Sequence, residues 1–438
     1  MNRRLHSIMT MAAGAVLLIA ALSLSGAENR AFVIRDAKVY TLSSAGTLER
    51  ASVVVADGKI VDVGTSVRVP AGAQVIQGKG LDVYPGMVNA WSTIGLTEIP
   101  SVEVTVDTTE QGDYKPHIEA FHAIHVESEH IPVARVNGIT VSISAPAGGV
   151  ISGQAVLMHL AGWTIDEMAV LRSAGTVVNF PTLGGGGGRG GFAGVAPAGQ
   201  ARGQAFAEQR REYERRVKEL AEWFERARHY ERAVQANPAI KRDRLLEALV
   251  PVVKGERMVL LRAESARDIR NAVEFAKKEK LKFVIVGGRD AVEAADVLKK
   301  ENVGVILGSI YTLPTREDDP YDARYTVPAQ LAKAGVKFAL TSPSPSDTRN
   351  LPYEAGMAVA WGLPREEALK AVTLYPAELL GVADRLGSIE KGKIADLVVT
   401  DGDLLELKTQ VKNVFIAGRN ISLDSKHTRL YQEYIARP

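Results

Sequence analysis

Between about residues 85 and 386 the apolar periodicity of this chain switches back and forth between the strand repeat and the helix repeat. Residues 265–279 have helical spacing, and 282–286 are an apolar strand that ends at Gly287 and Gly288. Residues 290–300 are helical, 303–307 are a second strand closed by Gly308, and 329–335 precede a third strand at 336–340. A further helix follows at 353–361. Strand–helix units of this length build a parallel sheet, and about 300 residues suits an α/β fold of the (β/α)8 TIM type.

The ends of the chain have a different texture. Phe32-Val33-Ile34, Lys38-Val39-Tyr40 and Ser52-Val53-Val54-Val55, followed by Asp57-Gly58, fit a β-meander. Ala395 to Thr400 and Val414 to Arg419 have the same character. A small composite β-sandwich is therefore expected from residues 28–84 and 387–438, flanking a barrel at 85–386.

Residues 1–27 read as a secretory signal peptide. Arg3 and Arg4 give a positive start, 8–24 is mostly apolar, and Ser25-Gly26-Ala27 offers small residues for cleavage. A periplasmic or secreted location follows, with no integral membrane association after cleavage. Removing Arg3 and Arg4 from the 53 basic residues balances them against 51 acidic ones. A neutral chain has no general pull toward nucleic acid or anionic membrane. The absence of cysteine excludes disulfides, thiolate metal sites and cysteine nucleophiles. A homo-oligomer is compatible with this composition.

An insertion at 184–235 interrupts the alternation. Gly184 to Gly191 and Ala196-Pro197-Ala198-Gly199 are low-complexity. Residues 204–236 read as a long charged helix, either packed on the barrel by one face or serving as a lid or partner-binding arm. No Lys-Ser or Lys-Thr follows the glycines, so they are not a phosphate loop.

Three segments carry a family resemblance. Pro85-Gly86-Met87-Val88-Asn89-Ala90-Trp91-Ser92-Thr93 resembles the first barrel strand of the amidohydrolase superfamily, P-G-hydrophobic-hydrophobic-D-A-H-x-H. Gly387 to Leu397 resembles that superfamily's G-S-(I/L)-E-x-G-K-x-A-D-L link into the sandwich. Glu367 to Ala377 is similar to the E-A-L-x-x-(V/I)-T-x-x-P-A run of its imidazolonepropionase-like branch. The resemblance covers most of the chain after residue 27, and its motifs are most specific in the C-terminal third. Residues 165–250 are read from periodicity alone.

The resemblance implies hydrolysis of non-peptide C–N bonds in small molecules such as cyclic amides and N-acyl compounds. It also implies a divalent metal held by the first-strand histidines, by histidines after middle strands and by an aspartate after strand eight. Here those places carry Trp91 and Thr93, Arg262, the Gly287-Gly288 and Gly308-Ser309 pairs, and Ser342. Indole and guanidinium do not ligate metal. The usual metal ligands are thus missing and no cofactor is expected, zinc entering only through non-standard ligands.

The candidate catalytic residues are Arg262, which could stabilise an oxyanion, with Glu264 and Asp347 as bases. Trp91, Thr93, Glu98, Arg349 and Glu354 are the candidate ligand-binding residues. Two other readings stand beside catalysis. The arginine and acids could form a structural ion-pair network, or the mouth could bind a small ligand without turnover, Trp91 stacking and Arg262 clamping a carboxylate.

His122 and His125, with Glu119, are the candidate replacement metal site if they share a helix face, although that segment is expected on the barrel's outer surface. His159 reads as a satisfied buried histidine, and Ser152 lacks a nucleophile-elbow context.

Overall fold

The computed structural model describes residues 31–183 and 206–437. The signal segment 1–27 and the glycine-rich run 184–199 lie outside these residues. Five strands come first: β1 (Phe32–Tyr40), β2 (Thr47–Ala56), β3 (Lys59–Gly64), β4 (Gln74–Gln77) and β5 (Asp82–Pro85). The barrel strands are β6 (Met87–Asn89), β7 (Ile139–Ser144), β8 (Ile151–His159), β9 (Ala169–Asn179), β10 (Val259–Ala263), β11 (Phe283–Gly287), β12 (Val305–Leu307) and β13 (Phe338–Ala339). β14 (Leu397–Thr400), β15 (Val411–Ile416) and β16 (Arg419–Ile421) follow.

Both chain ends enter one hydrogen-bonded network. β14 pairs antiparallel with β5, Leu397 opposite Pro85 and Thr400 opposite Asp82. β5 in turn pairs with β1, so strands separated by the whole barrel share one sheet. Their inward side chains, among them Ile34, Val53, Val83, Leu397 and Phe415, form a separate apolar core.

β6 to β13 lie side by side in chain order, as a TIM-type barrel requires. Alternation along each strand sorts the side chains. Val88, Ile143, Leu157, Leu260, Val286 and Ile306 fill the interior. Leu261, Ile285, Leu307 and Phe338 point outward to the helical layer, where the helix Ala266–Lys278 supplies Ile269, Ala272 and Val273. That helix forms where it does because Ser265 caps it, its hydroxyl accepting from Asp268 N, and Lys277 and Lys278 sit in its last turn.

One strand departs from the regular pattern. β8 pairs antiparallel with both β7 and β9, while the other strands run parallel. The cause is the length of the connections. Only residues 145–150 separate β7 from β8, and a parallel return needs roughly a dozen residues or more. Gly148 and Gly149 turn this tight link with φ of 79° and 69°.

The helix Phe206–Ala236 lies along the outside of the barrel. Leu220, Phe224 and Ala227 are buried, and Phe224 meets Phe275 of the neighbouring helix at 6.2 Å. Arg228 pairs with Glu279 at 2.8 Å. The opposite face carries exposed pairs at helical spacing, such as Arg210 with Glu214. The described part of the insertion is therefore a helix packed on the barrel by one face.

The barrel seam is closed by a side chain. No ladder joins β6 to β13, and Asn89 reaches across from β6 to Ser342, just beyond β13. Its Nδ2 donates to Ser342 O at 2.9 Å, and Ser342 N donates to its Oδ1 at 3.1 Å. Asn89 is 0% exposed, so water cannot replace either bond. Asn89→Ala strands Ser342 N and leaves Ser342 O only the Thr348 hydroxyl at 3.3 Å, and a loss of about 1–3 kcal/mol in unfolding free energy is expected from urea denaturation. A loss below about 1 kcal/mol would show that the seam closes without this carboxamide.

Candidate functional site at the barrel mouth

The C-terminal ends of the parallel strands bring Trp91, Asn179, Arg262 and Ser342 to one face of the barrel. Arg262 follows Leu260 by two residues on β10 and therefore points to the interior side above it. Its Nη1 faces Asn179 Oδ1 at 3.4 Å, and its guanidinium carbon stands 5.8 Å from the centre of the Trp91 ring. Its Nε is buried and has no hydrogen-bond partner. Among the described residues no carboxylate pairs with Arg262. The network of ion pairs expected around it is not formed, and its positive charge is left facing the mouth.

Asn179 fixes that geometry, and the sequence reading overlooked it. Its Nδ2 donates to Gly149 O at 2.7 Å and to Ser152 Oγ at 3.0 Å. With its amine end committed to the reversed β7–β8 link, its oxygen is left to face Arg262. The signal was present as one asparagine ending the apolar run Thr176-Val177-Val178. Asn89 was missed in the same way, in a strand read for its histidine positions alone.

The other predicted residues are dispersed. Thr93 contributes its main-chain N to Pro343 O at 3.3 Å. Glu264 turns to the end of β11 and accepts from Arg289 N at 3.2 Å. Gly287, with φ of 99°, makes room for it, since a Cβ there would collide with the Glu264 carboxylate. Beyond it, buried Asp290 is held by Arg289 at 3.0 Å and Arg316 at 2.8 Å. Asp347 is exposed, and its main-chain carbonyl accepts from Ser342 Oγ at 2.6 Å. Arg349 sends Nη1 to His427 Nδ1 at 2.9 Å, on the helix Lys426–Ile435. Glu98 lies on the long β6–β7 connection, where its carbonyl meets His130 Nε2 at 2.9 Å and its Oε1 is buried without a partner.

Glu354 is 1% exposed, in the helix Leu351–Ala360. Ser309 Oγ donates to its Oε1 at 2.8 Å and Ile310 N to its Oε2 at 2.9 Å. Both oxygens are occupied in tying down the loop after β12, which makes it an anchor rather than a ligand contact. Burial pushes its carboxyl up to about 7, against the pull of those two donors.

The histidines do not make a metal site. The expected helix is one 3₁₀ turn, Ala120–Ala123, and His125 lies beyond it, so the two rings do not share a face. His122 is exposed, 2.7 Å from Arg172 and 3.6 Å from Glu119. Among the described residues no three His, Asp or Glu side chains stand close enough to hold a metal ion. His159 Nε2 bonds Asp396 Oδ2 at 3.0 Å in a buried pair. It ends β8 while Ser152 begins it, roughly 20 Å apart at strand spacing, so no Ser–His pair exists.

Comparison with known proteins gives a consistent picture. Residues 265–421 match the Amidohydrolase family. An imidazolonepropionase of Erwinia tasmaniensis is 37% identical over 109 residues, 24% of this chain and 26% of that protein. The amidohydrolase tasK of Hapsidospora irregularis is 23% identical over 432 residues, 89% of this chain and 42% of that protein. The chain thus spans well under two thirds of the length of these curated relatives. The crystal structure of an amidohydrolase from Thermotoga maritima superposes with a TM-score of 0.76 at 25% identity, covering 89% of this chain and 99% of that one. A prolidase complexed with N-methylphosphonate-L-proline has a TM-score of 0.56 at 18% identity, a likeness of fold alone.

The raised Glu354 carboxyl sets a pH dependence. Folding stabilises the protonated acid, fully so below its ordinary value of 4.5, and this is lost as pH rises through about 7. Glu354→Gln keeps the shape and removes the titration. Urea unfolding at pH 5 and pH 8 is expected to show the wild type losing stability relative to this variant, by on the order of 2 kcal/mol. A gap that does not change with pH would show an ordinary carboxylate.

Proposed function

We propose, from the premise that this chain belongs to the amidohydrolase superfamily, that its barrel mouth binds a small C–N compound bearing a carboxylate. Cyclic amides and N-acyl amino acids are the compounds meant. The reading keeps the superfamily's class of small molecule and departs from its usual metal-dependent hydrolysis. It rests on one observation: Arg262 stands at the mouth against Trp91 with a buried, unpartnered Nε and no ion pair among the described residues.

A half-buried guanidinium without a counter-charge is costly, and a bidentate carboxylate is the partner that matches its fork. Trp91 offers a ring face for the apolar part of the same ligand. Asn179 holds the guanidinium in place through a carboxamide whose other end is already fixed.

A divalent metal does not fit this set of residues. Trp91 has no lone pair to give, and the fixed charge on Arg262 repels a cation. No metal-dependent step follows from them. Glu354 has both oxygens engaged by Ser309 and Ile310, and Glu264 has one engaged by Arg289 N, which supports binding over proton transfer. The second reading, metal-free hydrolysis, is distinguished by turnover.

The test is titration calorimetry with N-acetyl-L-alanine, with free alanine measured in parallel and metal content by elemental mass spectrometry. Arg262→Gln is expected to weaken binding about tenfold or more, which is about 1.4 kcal/mol, and Trp91→Ala less. Unchanged affinity in Arg262→Gln would reject the carboxylate clamp. Stoichiometric metal, with alanine release abolished by a chelator, would reject the departure from metal chemistry.

The same proposal places the chain outside the cytoplasm. Residues 1–27 support it, and no helix among the described residues is long and apolar enough to cross a membrane. Intact-mass analysis of the protein recovered from a bacterial host is expected to show a chain starting at Glu28. Retention of Met1 would overturn it.

A further inference from the structure

We propose that a cavity between the terminal sheet and the barrel, distinct from the mouth, binds a small aromatic carboxylate. The cavity has a volume of about 570 Å³. β1, β4, β15 and β16 form one wall, and the turn after β8 together with the helix His130–Arg135 forms the other.

The charge of this cavity is one-sided. Arg135 and Arg419 line it, and no acidic side chain does. Arg135 is the last residue of its helix, and its Nη1 donates to Leu160 O at 3.2 Å. Its Nε is buried with no partner, and among the described residues no carboxylate pairs with it. Burial alone acts on its ionisation, pulling it below the usual arginine value with no acid to oppose the shift. Arg419 likewise has no ion pair among the described residues. Two cations left uncompensated beside one cavity select an anion, and a carboxylate fits the guanidinium fork.

The apolar part of the ligand is set by three aromatics. Phe32 and Phe415 stack with ring centres 4.5 Å apart and close the floor. Trp163 stands at the rim with 84% of its surface exposed. The turn presenting it is built, since Trp163 N donates to Glu167 Oε2 at 2.9 Å and Thr164 caps the following helical turn. An indole held out of the core beside two unpaired arginines matches a flat ring carrying a carboxylate.

The experiment is fluorine NMR of 4-(trifluoromethyl)benzoate with the full mature protein, and with the neutral 4-(trifluoromethyl)benzamide as control. The benzoate is expected to bind and the benzamide to bind at least about tenfold more weakly. Arg419→Gln and Trp163→Ala, both on the cavity's accessible side, are each expected to weaken the benzoate about fivefold or more, Arg135→Gln more still. Arg262→Gln at the mouth is expected to leave this binding unchanged, which separates it from the ligand proposed there. Equal binding of the two probes overturns the proposal, as does no binding or loss only in Arg262→Gln. Should Arg135→Gln fail to fold, Arg419→Gln and Trp163→Ala decide.

Discussion

The structure depends on how its first and last barrel strands meet. β6 and β13 share no cross-strand ladder. Asn89 supplies the missing rungs by presenting a primary amide, the same donor and acceptor pair as a peptide, to Ser342. Everything placed at the mouth is referred to that seam. Trp91 follows Asn89 by two residues, and Ser342 begins the loop that carries Pro343 to Thr93. An aspartate, which occupies this place in the resembling family pattern, can accept from Ser342 N but cannot donate to Ser342 O unless protonated. Asparagine closes the seam at any pH.

With that frame fixed, the electrostatics of the mouth follow from one exchange. A metal-binding mouth concentrates positive charge on an ion and surrounds it with lone pairs. This mouth carries its positive charge on Arg262, whose nitrogens only donate. The groups around it are accordingly acceptors and a ring face: Asn179 Oδ1 and the Trp91 indole. Two acids that sequence alone places at the mouth, Glu264 for catalysis and Glu354 for ligand binding, are met by local donors, Glu264 by Arg289 N and Glu354 by Ser309 and Ile310.

The strands of the second half of the barrel were legible because both of their faces are buried, giving continuous apolar runs such as 283–287 and 303–307. The link from Gly387 to Leu397 was legible through its resemblance to the family motif, whose two glycines here adopt φ of 90° at Gly387 and 93° at Gly392. The direction of β8 was not, since an apolar run has no polarity and only the short 145–150 connection encodes the reversal. Nor was the clustering of site residues. Asp347 and Arg349 are close to Ser342 in sequence, yet the chain turns at Ser344, whose carbonyl accepts from Asp347 N, and Arg349 reaches the C-terminal helix instead. Proximity along a loop says little about direction once a turn lies between.

The treatment of buried charge elsewhere in the molecule gives the unpaired arginines their weight. Several buried charges that join parts of the molecule are paired or multiply hydrogen-bonded. Asp396 accepts from His159 Nε2 through one oxygen and from Ala417 N through the other, while its carbonyl accepts from Gly86 N, so barrel and terminal sheet are joined at one residue. Asp290 has two arginines, and Glu279 has Arg228. Arg262 and Arg135 are treated differently: each makes one polar contact, keeps a buried Nε without a partner, and borders open space. Leaving a guanidinium half-satisfied costs more than replacing it with a neutral side chain of similar size. An anion arriving from solution, as proposed at both places, would offset that cost.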